Sequence, residues 1–368
     1  MEKEKMIFVR IKKVKNIKRI LNKEYMFLFF KKRNKKFLLK NEQLIDLKIH
    51  LVRNFRNKFT NMSLNYELIT NKGNKCIRAR IHKYQNLPER EWKIANVLKK
   101  QGLGENVIPV MEYFRPLNML FYSEIPGNSF EELFPKKKFN SFIKATPLIA
   151  QWLKKAHSLK QKPGLLPIKD LSQEKKERRH WFFLVKKCTP QFYPIFSKLL
   201  KELWRFRLKN SNYFLNRSQF RLVHSDFHWG NIIKIHPVKS AECGAAKPQF
   251  NRVKNQFVVI DFCYGFYGDP LEDIGGFLAQ NDSMFRYHAV EFLPVADKIR
   301  KSFLKNYFQN IPSQSEKARL LYFEIQKKLE MAAILSFLEP DEEGKVIGIE
   351  KLLKEAQHKL NILIHLGT

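Results

Sequence analysis

The chain has 368 residues, enough for two lobes or domains, and with 44% hydrophobic and 13% aromatic residues it can bury a sizeable core. That excludes a disordered or fibrous protein. Charge is the unusual feature: 69 Lys and Arg against 35 Asp and Glu give +34, a field suited to nucleic acid or an anionic membrane surface, or the mark of a lysine-rich composition.

In chain order, residues 1–60 hold 19 Lys and Arg against 5 Asp and Glu, with Phe, Ile and Leu set among them. That mixture fits two short strands or a strand and a helix. Residues 66–70 (YELIT) alternate like a half-buried strand, 71–74 (NKGN) supply a turn, and 76–82 (CIRARIH) form the second strand of a hairpin. The segment from Pro88 to Gly102 reads as a helix, followed by strands at 107–114 and 120–124. After Pro126-Gly127 the pattern is helical over 141–159 and again to about 213. Two strand-like runs follow at 220–224 and 256–261, joined by a Lys-, Pro-, Gly- and Ala-rich loop over 236–255; the remainder from about 270 to 366 is helical.

The four cysteines, Cys76, Cys188, Cys243 and Cys263, form no CxxC pair, so reduced thiols are expected and neither a disulfide framework nor structural zinc is. No run approaches the ~18 apolar residues of a membrane span, and residues 1–30 hold no signal-peptide core. A soluble, non-exported, cytoplasmic chain is the expectation.

Two stretches carry chemistry. In LVHSDFHWGNIIKI, 222–235, an apolar strand ends in His224, and Asp226, His228 and Asn231 follow. In VVIDFCYGFYGDPLEDIGG, 258–276, a second apolar strand delivers Asp261. A carboxylate, an amide oxygen five residues on and a second carboxylate make a hard-oxygen set suited to Mg²⁺. In phosphoryl transfer one Asp takes the acceptor hydroxyl proton while the Asn and second Asp hold the metal. The plainer readings are a capped turn for Asp226 and Asn231 and a His-x-Asp-x-His metal site for 224–228.

Residues 224–231 (HSDFHWGN) resemble the H-G-D-x-H-x-G-N catalytic loop of the aminoglycoside phosphotransferase and choline kinase-like family, which has the protein-kinase fold. Ile260-Asp261-Phe262 is similar to that family's metal-binding motif, and Gly268-Asp269-Pro270 with Asp273 to its G-D-P-x-x-D. Residues 77–83 (IRARIHK) resemble the third N-lobe strand, 90–98 the helix bearing the ion-pair glutamate, 122–127 (YSEIPG) the hinge, and 152–159 the L-x-x-L-H-x-L helix.

The resemblance implies an α+β, two-lobed protein-kinase-like fold with a small β-rich N-lobe and a larger, mainly helical C-lobe. The divisions it suggests are a basic N-terminal extension over 1–55, an N-lobe over 56–127 and a C-lobe over 128–368. It implies an ATP- and Mg²⁺-dependent phosphotransferase acting on a hydroxyl of a small molecule or saccharide. Asp226 would be the base, Asn231 and Asp261 metal ligands, Arg80 the phosphate contact paired with Glu91, and the backbone at Glu124 and Ile125 the adenine contact. Register leaves Arg78 or Lys83 as alternatives to Arg80. His224 and His157 would brace the loop, His228 shape it, Asp269 anchor the segment after the metal site and Asp273 cap a helix; Trp92 and Trp152 would be core.

Three departures stand out. Residues 59–63, before the first hairpin strand, contain no glycine where a nucleotide loop is expected; Ser225 replaces the usual Gly; and the N-lobe basic residue is open in register among Arg80, Arg78 and Lys83. A protein kinase is disfavoured, since Cys263 stands where D-F-G has its glycine and A-P-E is lacking. The competing reading is a nucleic-acid- or membrane-binding protein on a degenerate kinase scaffold. In either case residues 1–55 offer an anionic membrane surface a contact, which would make the protein peripheral at the inner face; a nucleic-acid partner is the weaker expectation.

Overall fold

In this computed structural model, residues 17–53, 61–82, 86–160, 164–236, 257–338 and 342–367 are described. The chain opens with α1 (Ile17–Ile20), α2 (Lys23–Lys32), α3 (Asn34–Phe37), β1 (Leu44–Arg53), β2 (Asn61–Thr70) and β3 (Gly73–His82). Next come α4 (Asn86–Lys100), β4 (Val110–Phe114), β5 (Met119–Ser123), β6 (Gly127–Ser129), α5 (Phe130–Leu133), α6 (Phe139–His157), α7 (Leu171–Cys188) and α8 (Tyr193–Lys209). The remainder is β7 (Arg221–Val223), β8 (Ile232–Ile235), β9 (Phe257–Val259), β10 (Phe266–Gly268), α9 (Leu271–His288), α10 (Leu293–Phe308), α11 (Gln314–Leu338) and α12 (Glu342–Leu366). The chain divides into two compact units, Met1–Glu132 with Ile232–Tyr264, and Leu133–Asn231 with Gly265–Thr368.

The first unit is built on an antiparallel sheet in the order β1-β2-β3-β5-β4. Strand β2 alternates, with Met62, Leu64, Tyr66 and Leu68 buried on one face, the period-2 pattern of a sheet with one covered side. The cover is α2. Met26, Phe29 and Phe30 fall at helical spacing and join Leu64, Tyr66 and Phe121 in one cluster, with the Phe30 ring 5.3 Å from Tyr66. Asn22 caps α2 by accepting the Tyr25 amide at 2.7 Å, and Tyr66 Oη donates to the Ile20 carbonyl at 2.9 Å.

Residues 17–53 therefore do not form an extension separate from the sheet. They supply its covering helix and, in β1, a strand paired with β2 from Leu44 to Arg53. The basic residues occupy the outward faces of these elements, which is why charge masks the apolar stripe in the sequence. The glycine-free segment resolves differently from the expected turn. Residues 61–63 belong to β2 and pair with residues 82–80 of β3, while residues 59 and 60, Lys83, Cys243 and the 237–255 part of the expected loop lie outside the described residues. A smaller sheet, β6-β8-β9, completes this unit.

The second unit is mainly helical, with β7 and β10 pairing antiparallel. Phe277 of α9 stacks on Phe303 of α10 with centroids 4.4 Å apart and packs 5.0 Å from Trp229. Gly275 lets α11 approach α9 closely: a Cβ there would sit 2.6 Å from the Phe323 Cβ and 2.9 Å from the Glu324 nitrogen. Among the described residues no helix is long and apolar enough to cross a membrane.

Candidate active site

In the second unit, β7 delivers His224, Ser225 and Asp226 into a tight loop. Ser225 has φ +77°, the left-handed region that favours glycine, at the position where the family motif has Gly. Asp273 holds this backbone in place. Its Oδ2 accepts the His224 N–H and its Oδ1 the Ser225 N–H, both at 2.7 Å, and its Oδ2 also lies 3.0 Å from His157 Nε2. His157 in turn meets Tyr307 Oη through Nδ1 at 2.9 Å.

This corrects one expectation. Asp273 is no helix cap; it lies inside the first turn of α9, is 2% exposed, and braces the loop that carries Asp226. Asp269, just ahead of α9, accepts the Leu271 N–H at 3.0 Å, and its other oxygen pairs with Arg319 at 2.7 Å. His157 is the loop-bracing residue the sequence suggests, and Trp152 is core, stacked near Phe227. Trp92 is instead 38% exposed.

Asp226 is surrounded by donors and positive charge. Asn231 Nδ2 donates to its carbonyl at 2.9 Å and to Oδ2 at 3.3 Å. His228 Nε2 lies 3.6 Å from Oδ2, and Lys327 Nζ of α11 lies 3.6 Å from Oδ1. Burial alone would raise the Asp226 carboxyl, but the nearby His228 imidazole and the Lys327 charge outweigh it and hold the group well below the usual carboxylate range. The ionised form is the one in which a carboxylate can accept a proton.

The His-x-Asp-x-His zinc reading fares poorly. His224 Nδ1 accepts the Asp226 N–H and His228 Nδ1 the Gly230 N–H, so each ring spends a nitrogen on loop shape. Among the described residues there is no group of three or more His, Cys, Asp or Glu able to hold a metal ion.

The first unit holds the other half of the expected residues. Arg80 of β3 bonds Asp261 Oδ1 at 2.9 Å and lies 3.7 Å from Glu91 Oε2. Of Arg78 and Arg80, it is Arg80 that reaches both carboxylates; Arg78 bonds Asn65 instead. Glu91 on α4 is 1% exposed, and burial pushes its carboxyl up against the opposing pull of Arg80. Cys263 donates its thiol to Asp261 Oδ1 at 2.9 Å. Asp261 itself has φ +66°. Glu124 and Ile125 follow Ser123, the last paired residue of β5; the Glu124 side chain is exposed and that of Ile125 half-buried.

Three partners escaped the sequence reading: Cys263 on Asp261, Tyr307 on His157, and Lys327 on Asp226. The first two sit in no chemical pattern. Lys327 had a signal, a lysine between the apolar Ile325 and Leu329, although neighbouring Lys328 shares it.

No protein-family model matches the sequence, and no curated protein sequence matches it. Solved structures do match. A microcompartment-associated aminopropanol kinase aligns with TM-score 0.57 at 13% identity, over 92% of this chain and 98% of its own. An ethanolamine kinase of Plasmodium vivax aligns with TM-score 0.54 at 15% identity, over 84% of this chain and 82% of its own. The ADP-bound aminoglycoside phosphotransferase APH(2'')-Ib aligns with TM-score 0.52 at 16% identity, over 90% of this chain and 98% of its own. At such identities the likeness is one of fold: the chain has the α+β, two-lobed protein-kinase-like fold of the ethanolamine/choline kinase-like and aminoglycoside phosphotransferases.

Proposed function

We propose that the protein is a phosphotransferase that moves the γ-phosphoryl group of ATP onto a hydroxyl of a small molecule. The observation that carries this reading is the Asp226 loop. Its carboxylate is kept ionised, Asn231 is locked to it through the amide nitrogen, and Asp273 holds the backbone that presents it. A degenerate scaffold kept only as a binding surface has no physical need for that arrangement. Asp226 accepts the hydroxyl proton as the acceptor oxygen attacks phosphorus and ADP leaves.

The donor set fits Mg²⁺, a hard cation that prefers carboxylate and amide oxygens. Asn231 Oδ1 and the Asp261 carboxylate would hold the ion, which when bound neutralises phosphate charge. Arg80, paired with Asp261 and Glu91, contributes a fixed cation for the α- and β-phosphates, and the backbone at Glu124 and Ile125 meets the adenine edge. The acceptor is a small molecule; the amino alcohols named for the structural neighbours are the first to try, with saccharides beside them.

The test is ATP consumption with Mg²⁺ over a panel of amino alcohols, aminoglycosides and saccharides, run with Asp226→Asn as control. An acceptor-dependent rate that Asp226→Asn abolishes, with ATP binding retained, supports the reading. Full activity in that variant removes Asp226 from the chemistry.

A further inference from the structure

We propose that Lys327 of α11 is a positioning residue for the Asp226 carboxylate, an inference that rests on the phosphotransferase reading above. Lys327 lies about 100 residues beyond the catalytic-type loop, outside every motif that the sequence singles out.

The two oxygens of Asp226 are held from different directions. Oδ2 takes the Asn231 amide at 3.3 Å and faces His228 at 3.6 Å, both from within the loop. Oδ1 faces Lys327 at 3.6 Å, its one ion-pair partner among the described residues, and that lysine comes from a separate helix. Holding both ends stops the carboxylate turning about its Cβ–Cγ bond. Each oxygen still has a second lone-pair direction for the acceptor proton.

Lys327 is itself placed with little freedom. Its side chain is 11% exposed, and its ammonium also lies 3.3 Å from Glu330 Oε2, one turn further along α11. Lysines are almost never buried without such partners, and a buried ion pair is weak evidence of stabilisation, since an apolar side chain of similar volume is often as good. Stability therefore gives no reason for a lysine at this position, whereas aim gives one. The close approach of α11 to α9 at Gly275, four residues from Ala279 and beside Phe323 and Glu324, fixes the helix that carries it. The same helix α9 carries Asp273, which holds the loop backbone. One helix pair thus sets both the loop and the carboxylate it presents.

The experiment compares the full chain with Lys327→Met, Lys327→Arg, Lys327→Gln and Asp226→Asn. Phosphate release from Mg²⁺-ATP is followed with water as the acceptor: the water oxygen attacks the γ-phosphorus, its proton passes to Asp226 and ADP leaves with the bond electrons. Lys327→Met is expected to lower kcat about ten- to hundredfold, the scale of a misplaced reacting group, with KM for ATP within about twofold. Lys327→Arg should recover most of the rate, and Lys327→Gln should repeat the loss, standing in for the Met variant if that fails to fold. A folded Met or Gln variant with wild-type kcat overturns the inference, as does an Arg variant as slow as they are. Asp226→Asn separates the two levels. If it releases phosphate as fast as the wild type, the phosphotransferase reading falls; if it is inert while Lys327→Met is unimpaired, only the role of Lys327 falls.

Discussion

Asp273 Oδ1 takes the backbone N–H of Ser225 at 2.7 Å, and that bond holds a serine in a conformation normally left to glycine. A left-handed non-glycine residue carries roughly 1–2 kcal/mol of strain, which the surrounding contacts must offset. Asp273→Ala would leave the His224 and Ser225 amides and His157 Nε2 without this acceptor. With each buried donor worth about 1–3 kcal/mol, a loss of at least about 3 kcal/mol is expected in denaturant unfolding, together with activity. Ser225→Gly should be mild, within about 1 kcal/mol, because relief of strain is countered by the freer unfolded chain. An Asp273→Ala protein as stable as the wild type would remove Asp273 from the loop's support.

Asp261→Ala tests the nucleotide side. If Asp261 is a metal ligand, Mg²⁺-dependent affinity for a non-hydrolysable ATP analogue should fall at least about tenfold by calorimetry, as for removal of one carboxylate from a hard-cation site. Arg80 would keep Glu91, 3.7 Å away, so the first unit should stay folded. Unchanged Mg²⁺-dependent affinity in a folded variant would count against the metal assignment.

Much of this was readable from local pattern. The Gly73 turn joins two strands as the alternation on either side requires, and Pro88 and Gly102 bracket α4. The residues of the two chemical loops follow strands, as apolar runs ending in polar side chains suggest. What escaped was decided by partners distant in sequence. That Asp273 serves the loop instead of the end of α9 depends on its reaching backbone amides 48 and 49 residues earlier, and no local rule encodes that. The apolar stripe of α2 is only three residues wide, Met26, Phe29 and Phe30, amid a run of lysines that reads as solvated. Lys327 acts through a helix packing whose register is set at Gly275.

His82 should make the fold acid-sensitive. It is 1% exposed at the end of β3, and neither ring nitrogen has a hydrogen-bond partner among the described residues. Burial, and then the Arg80 charge, push its imidazolium down to about 3, from an unfolded value of ~6.5. The unfolded chain thus binds the proton first, so the contribution is intact above pH ~6.5 and is lost as pH falls below it. At pH 5 that amounts to about 2 kcal/mol. His82→Leu should gain stability relative to the wild type as pH drops from 7.5 to 5, measured by urea unfolding at each pH. An equal difference between the two proteins at both values would show that His82 is not buried in its neutral form.

The N-terminal helix should prove indispensable to folding. Phe30 is fully buried, 5.3 Å from Tyr66 and 5.7 Å from Phe121 by ring centroids, and Phe29 stacks on Phe121 at 5.3 Å. Deleting a buried phenylalanine side chain costs about 3–5 kcal/mol, a large share of the stability of an ordinary domain. Phe30→Ala should therefore unfold at clearly lower denaturant. A chain beginning at residue 56 loses α2 and β1 together, which uncovers Leu64, Tyr66 and Leu68 and leaves β2 as an exposed edge. It should aggregate on expression. Charge reversal at the exposed Lys31, Lys32 and Lys35 touches none of this packing and should leave solubility and the melting temperature within a few degrees of the wild type. If the shortened chain is instead soluble and melts cooperatively, the sheet does not depend on that cover, and the aromatic cluster is a lesser contribution than its burial implies.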